Sequence, residues 1–401
     1  MMKEMQRLIL FPFLLLLLGG CNNQSRTVRD DIYLVAWDNY SFGYIDASGS
    51  AVISPQYAYA MPYGEKLAAV NVGGTFNKRR MPTDGKWGFI KMNGEFAINP
   101  IYYSPPTVGS PYDPASLAMA NHDGYVFSEN RAAVRTANEW VYIDRLGNTK
   151  IQNNKIKSAR AFHDGLANVY MNGRWGYIDT LGNVIIYPQF KYAADFHQGR
   201  ALVVNEQNEK MIINRRGLRQ LPQYRILNHF ENGFATVRPY WKGENPNEVE
   251  RRKTLLINTH GAPMTPKDFD WIGHFGEDMA PALVGSKLGN PISYPQALGP
   301  TGEAGGKWGY IDLKGKFKIN PAFEDARGFS EGFAAVKNGG LWGYMRPNQS
   351  MLTGYEFRWA GFFKNGLAPV ILGPIHNDYS DQFAYIDTDG DIIWIEPQPA
   401  E

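Results

Sequence analysis

Arg174-Trp175-Gly176-Tyr177-Ile178-Asp179-Thr180-Leu181-Gly182-Asn183-Val184-Ile185-Ile186-Tyr187-Pro188-Gln189-Phe190 decides the fold. Large residues alternate around Gly176, as in a strand with one buried face. Asp179 stands where a type I turn uses a side-chain acceptor, and Gly182 where the chain needs positive φ. The glycine between Trp175 and Tyr177 leaves room for a neighbouring ring or backbone to approach closely. After Phe190 come Ala194, Phe196, Gly199, Ala201 and Val203. From Lys307 the pattern returns as Trp308-Gly309-Tyr310-Ile311-Asp312, Gly315, Ile319, Pro321, Phe323, Ala326, Phe329, Glu331-Gly332-Phe333-Ala334 and Val336. Fainter copies stand at Phe42 to Asp46, Trp87 to Ile90, Trp140 to Asp144, Met211 to Asn214, Leu255 to Asn258, Trp342 to Met345 and Phe383 to Asp387. The period is roughly 35 residues, which gives about nine units.

Each unit reads as a small antiparallel meander. The Trp-Gly strand turns at Asp-x-x-Gly into a strand ending in Pro and an aromatic residue, and an Ala-x-Val strand returns to the next Trp-Gly through a turn such as Asn172-Gly173. One meander cannot bury its aromatic face alone, so copies must stack on one another. Composition agrees: 401 residues with 23 Tyr, 22 Phe and 10 Trp, punctuated by 42 Gly and 25 Pro, suit many tight turns between aromatic-rich strands. The formal charge of +2 provides no strong field, which argues against a nucleic-acid partner.

The Lys-Trp-Gly-Tyr-Ile-Asp hairpin, its Pro-x-Phe and its Phe-x-Glu-Gly-x-Ala-x-Val tail resemble the WG-containing (KWG) repeat of bacterial proteins. The resemblance runs from Ile32 to Ile395, strongest in the copies opening at Arg174 and Lys307. It implies an all-β repeat protein, commonly of the cell envelope. Complete units in tandem favour an open, twisted solenoid; a closed, propeller-like ring is the alternative.

Residues 1–20 read as a signal peptide. Lys3 and Arg7 precede the apolar run Leu8 to Leu18, which is shorter than the roughly 20 residues a spanning helix needs. Leu18-Gly19-Gly20-Cys21 looks like a bacterial lipobox, and Cys21 is the one cysteine of the chain. That resemblance implies lipidation at Cys21 with several acyl chains, enough for stable anchoring. Asn22 after the cysteine favours the outer membrane. Residues 21–31 read as lipidated cysteine and polar tether, 32–395 as the array and 396–401 as a tail.

Insertions in a repeat protein fall on loops, often those of its binding face. Four long junctions, Gly73 to Gly85, Arg238 to Lys253, Gly285 to Gly306 and Leu372 to Gln382, occupy the same turn of their units, which predicts one loop-bearing edge. They carry Arg79, Arg80, Tyr240, Trp241, Lys242, Arg251, Arg252, Lys287, Tyr294, His376 and Tyr379, a mixture of bases and aromatics suited to a partner protein or a glycan. A fifth insertion, Ser104 to Tyr125, occupies another slot.

Motifs of the standard hydrolases and nucleotide binders are not found, and no enzyme activity, cofactor or metal is expected. Asp46, Asp144, Asp179, Asp312 and Asp387 share one hairpin corner, where a carboxylate accepts backbone N–H groups; they read as turn residues. Asp389 and Asp391 add the look of a calcium loop, but the distal Glu is missing at the usual spacing. His163 and His197 sit one unit apart and read as solvated or core-edge residues. The expected role is a lipid-anchored envelope binding or scaffold protein, with a glycan- or peptidoglycan-binding module as the alternative.

Overall fold

The computed structural model describes residues 33–36, 41–75, 84–103, 125–227, 230, 232–239, 253–266, 269–286, 305–379 and 382–397, with main chain alone at 33–36 and 377–379. Residues 31–401 form one compact unit. Every strand pair recorded is antiparallel, and no α-helix occurs among the described residues. No helix among them is long and apolar enough to cross a membrane.

Unit four shows the repeat in full. A lead strand Ile156–His163 pairs with the Ala-x-Val strand Leu166–Met171, then the Trp-Gly strand Arg174–Asp179, then the proline strand Val184–Phe190. Unit two repeats that order in Tyr59–Ala60, Leu67–Val72, Lys86–Lys91 and Phe96–Tyr102, and unit seven in Trp271–Ile272, Ala280–Val284, Lys307–Ile311 and Phe317–Phe323. Units eight and nine share a seven-stranded sheet from Asp325 to Ile395.

The Trp-Gly pair follows from how two strands cross. Trp175 opposes Phe190 while Tyr177 opposes Ile186, so the proline strand bulges by two residues directly over Gly176. A Cβ on Gly176 would lie 2.6 Å from the Ile186 carbonyl oxygen and 2.7 Å from Pro188 N. Gly88 beneath Ile98 and Pro100, and Gly309 beneath Ile319 and Pro321, meet the same geometry. The proline fits because the bulge needs no ladder N–H there. The flanking tryptophans Trp87, Trp140, Trp308 and Trp342 are buried, whereas Trp175 is partly exposed.

Five units are joined to the next by the tyrosine after that position, which is Val141 in place of glycine in unit three. Tyr44, Tyr142, Tyr177, Tyr310 and Tyr344 donate their hydroxyls to the carbonyls of Met61, Arg160, Ala194, Arg327 and Gly361 at 2.8, 2.8, 2.7, 2.7 and 2.9 Å. Each acceptor lies on the lead segment of the following unit, so a hydroxyl that burial obliges to find a partner finds it across the junction. The turn glycines of units two to five also seat on the last strand of the unit before: Gly94 on Ile53, Gly147 on Ile98, Gly182 on Ile151 and Gly217 on Ile186.

Among the described residues no sheet mixes strands from the two ends of the array, so it is open in its hydrogen bonding, as complete tandem units require. In packing its ends meet. Apolar clusters step from unit four to five, five to six, six to seven, seven to eight and eight to nine; another joins Leu367, Tyr385 and Trp394 of unit nine to Ile45 of unit one. Gly49 of the first unit lies against the carbonyl of Ile393 in the last, the seat that turn glycines take at the interior junctions. The terminal units of this open array therefore face each other in packing, although no described sheet joins them.

Gly176→Ala should cost about 2 kcal/mol or more of stability through overpacking, and Tyr177→Phe about 1 kcal/mol through a lost hydrogen bond, both read from denaturant midpoints. Gly49→Ala should lower the midpoint more than Gly173→Ala. Both glycines have positive φ, 78° and 81°, but nothing lies within 4 Å of a Cβ on Gly173.

Candidate functional site

A repeat array exposes what each unit does not need for stacking, and two such features recur here. The first is the hairpin between the Ala-x-Val and Trp-Gly strands. In unit four it is tight, with Met171 opposite Arg174. The same hairpin is the stem of all four long junctions, through Val72 with Lys86, Val237 with Leu255, Val284 with Lys307 and Ile371 with Phe383. The stem in unit two is tied by Asn71, whose amide donates to the Asp84 carbonyl at 3.1 Å, and by Thr75, whose N–H donates to Asp84 Oδ1. The N–H and then the hydroxyl of Thr75 hold the Asp84 carboxyl below its usual range.

Arg79, Arg80, Tyr240, Trp241, Lys242, Arg251, Arg252, Lys287, Tyr294 and Cys21 lie outside the described residues, as does most of the Ser104 to Tyr125 insertion. Tyr379 ends a short 3-10 segment, Pro374–Tyr379. His376 in that segment is drawn inward rather than presented as a loop contact. Its ring stacks on Phe357 at 6.0 Å and its Nε2 stands 3.3 Å from Glu356 Oε2. The nearby main chain explains this: Gly373 N–H donates to the Glu356 carbonyl, folding the segment back onto its own sheet.

The five turn aspartates share one geometry. Oδ1 of Asp46, Asp144, Asp179, Asp312 and Asp387 accepts the backbone N–H groups two and four residues on, at 2.8 to 3.1 Å. Asn214 and Asn258 do the same in their units. The N–H of Lys316, with that of Lys314, keeps the Asp312 carboxyl below its ordinary value despite some desolvation.

The second recurring feature is the turn between the lead and Ala-x-Val strands. Its two central residues both have positive φ in each described copy, for example Asp164 and Gly165 at 52° and 74°, and Glu331 and Gly332 at 54° and 82°. That is the type I′ geometry matching the twist of a tight hairpin. Its leading carboxylate reaches the same turn of the next unit. Glu65 accepts from Asn130 N–H, Glu129 from Gly165, Asp164 from Gly199, Glu277 from Gly332, and Glu331 from Asn365 and Gly366, at 2.6 to 3.2 Å. These carboxylates form a chain of latches that the reading of single motifs missed. Their signal is an acidic residue at one fixed position of successive units.

The same rim brings His163 and His197 together. Separated by one unit in sequence, their rings lie 5.4 Å apart, and His163 Nε2 stands 3.7 Å from Asp195 Oδ2. Side chains at equivalent places in neighbouring units are thus direct neighbours in space, contrary to the expectation that whole units separate them. No group of three or more His, Cys, Asp or Glu placed to hold a metal occurs among the described residues.

Arginines fill a further repeated position. Arg160 lies over Trp175 and Tyr192 at 4.9 and 5.5 Å, and Arg327 over Trp342 and Trp359 at 5.0 and 4.8 Å. Each guanidinium rests between the Trp-Gly ring of its own sheet and an aromatic side chain of the next lead strand. Burial pushes the adjacent Asp325 carboxyl up to about 6, against a bond from Ala326 N–H and the charge of Arg327.

Glu331→Gln should raise amide exchange at Asn365 and Gly366 about threefold or more, since a charged acceptor becomes a neutral one; two-dimensional NMR exchange rates measure it. An acid whose folded pKa is raised loses stability as pH rises. Between pH ~4, where the unfolded carboxyl titrates, and pH ~6, stability should therefore fall, and Asp325→Asn should flatten that segment of a pH series of unfolding midpoints.

The described fold and its repeated turns permit comparison with known proteins. The sequence pattern described as "WG containing repeat" matches residues 42–76, 142–175, 175–208, 256–287, 308–342 and 342–373. No curated protein matches the chain by sequence. A crystal structure of a eukaryotic initiation factor is similar at a TM-score of 0.48 and 10% identity, covering 90% of this chain and 95% of its own. BamB from Moraxella catarrhalis gives 0.33 and 9%, covering 61% and 76%. The dihydro-heme d1 dehydrogenase NirN gives 0.37 and 10%, covering 85% and 72%. Likenesses this distant carry no functional content. The six sequence matches fall in the register of the Trp-Gly hairpins and their latching turns, and the chain belongs to the WG-containing repeat family.

Proposed function

We propose that this protein is a lipid-anchored binding or scaffold protein of the bacterial envelope, held at Cys21 and presenting its long hairpin loops to a protein partner. The observation that carries the reading is the common stem: four insertions of unequal length and sequence leave the same hairpin of their units, while the stacking strands keep their pattern. A β-rich repeat fold of this kind suits a binding module, because loops vary without cost to the stacked strands. Arg79 and Arg80, Tyr240 to Lys242, Arg251 and Arg252, and Lys287 with Tyr294 supply aromatic and cationic groups of the kind that dominate binding energy at interfaces. The anchor is supported by the apolar run before Leu18-Gly19-Gly20-Cys21, and the outer membrane by Asn22 after the cysteine.

The glycan-binding reading rests on the same aromatic-basic loops. Capture from solubilised native envelopes, with Asn22 to Glu401 as bait, should retain a protein that is lost when the four loops are shortened to tight turns. Alanine at Trp241 together with Arg79 should weaken that capture about tenfold or more. Retention of purified peptidoglycan or polysaccharide in place of a protein would move the reading to the glycan module, and unchanged capture by the loop-shortened chain would remove the loops from the account. For the anchor, Cys21→Ala should abolish incorporation of labelled palmitate and release the chain from the membrane fraction.

A further inference from the structure

The Asp-x-x-Gly turns differ in one respect that stacking does not require. Two residues after the first residue of this turn, most units place a polar side chain, as at Ser48, Asn93, Lys314, Asn348 and Asp389, the first residue being Lys91 and Arg346 in units two and eight. Units three and four place Leu146 and Leu181 there, 82% and 80% exposed. Unit five has Leu218 two positions later in its turn, 58% exposed. These leucines are not turn-formers, since the turn bonds are made by Asp144, Asp179 and Asn214 with backbone N–H groups whatever the side chain.

Packing sets the three turns in succession along one rim. The turn of unit four seats through Gly182 on Ile151 of unit three, and that of unit five through Gly217 on Ile186 of unit four. Beside Ile186 on the same proline strand, Ile185 and Tyr187 point away from the buried side, and Tyr187 is 76% exposed. Apolar surface is thus concentrated in consecutive units, where scattered single residues would need no explanation.

Cations frame it. Arg145, Lys191, Arg215 and Arg216 are exposed in these units. The acids nearby are engaged: Glu206 with Arg174 at 2.5 Å, Glu209 with Arg219 at 2.6 Å, and Asp144 and Asp179 with their turns. Protruding leucines with a tyrosine, on units that also expose these Arg and Lys side chains, are complementary to one kind of surface: an apolar interior beneath a negatively charged headgroup layer.

We propose that the turns of units three to five form a peripheral docking surface for anionic lipid, which orients the array against a membrane. The inference deepens the anchoring reading but does not need the thiol, so the two fail separately.

The test uses the chain from Asn22 to Glu401, which lacks Cys21 and contains the compact unit that holds every described sheet. It should sediment with vesicles of phosphatidylglycerol and phosphatidylcholine, more weakly with phosphatidylcholine alone, and less as salt rises. Leu146→Asn, Leu181→Asn and Leu218→Asn should each lower partitioning about tenfold, the worth of one leucine side chain withdrawn from water. Arg145→Gln with Arg216→Gln should flatten the salt dependence. Because all five side chains are exposed, unfolding midpoints should stay unchanged, which separates docking from misfolding. Absence of vesicle binding, equal binding by the leucine variants, or a concentration-dependent dimer abolished by the same leucine changes would each overturn the proposal. Loss of palmitate labelling at Cys21 alone would leave it standing.

Discussion

The structure depends on the crossing of a Trp-Gly strand beneath a proline-bearing bulge. Because a Cβ at the glycine would enter the backbone above it, the two strands approach closely only at this residue. The bulge lets the strand regain its pairing beyond the proline, and the tyrosine that follows the glycine sends its hydroxyl into the next unit. One local contact therefore sets the spacing within a unit and the docking between units. Cooperative stability follows, since no unit can satisfy its tyrosine or cover its aromatic face alone.

The junction is reinforced at its other end by the carboxylate latches. Each occupies a tight turn whose two residues are held at positive φ, so the acceptor is fixed before its partner arrives. The hydroxyl bonds are buried or partly buried and the latches are mainly exposed, so the junctions three to four, four to five, seven to eight and eight to nine each have one contact shielded from solvent and one more open to salt and pH. What is left free are the two hairpin tips. Much of the variation falls there: four long insertions at one tip, and leucines in place of polar residues at the other, with the Ser104 to Tyr125 insertion lying between units.

Much of this was legible in the chain. The hairpin Trp175 to Asp179 and its copies gave the strands, and the five aspartates announced their turns because an Asx turn needs only neighbours in sequence. The purpose of the glycine was also readable as close approach. The latches were not, since Glu331 and Gly366 belong to different units and look like ordinary turn residues until the units are stacked. The pairing of His163 with His197 failed in the same way, as did the inward position of His376, which the fold of its segment against Glu356 and Phe357 determines. The candidate binding loops were legible as insertions, and their common stem is a register property that the strand pairs made explicit.

The sequence by itself determined the repeat, its all-β character, its turn chemistry and its membership of the WG-containing family, because each depends on contacts between residues near in the chain or on a pattern repeated along it. Tertiary structure alone decided how the ends relate. Whether nine units close is set by the rotation from each unit to the next, summed over the whole array, and no residue pattern encodes that sum. It appears only when Gly49 takes its seat on Ile393 and Ile45 joins Leu367, Tyr385 and Trp394.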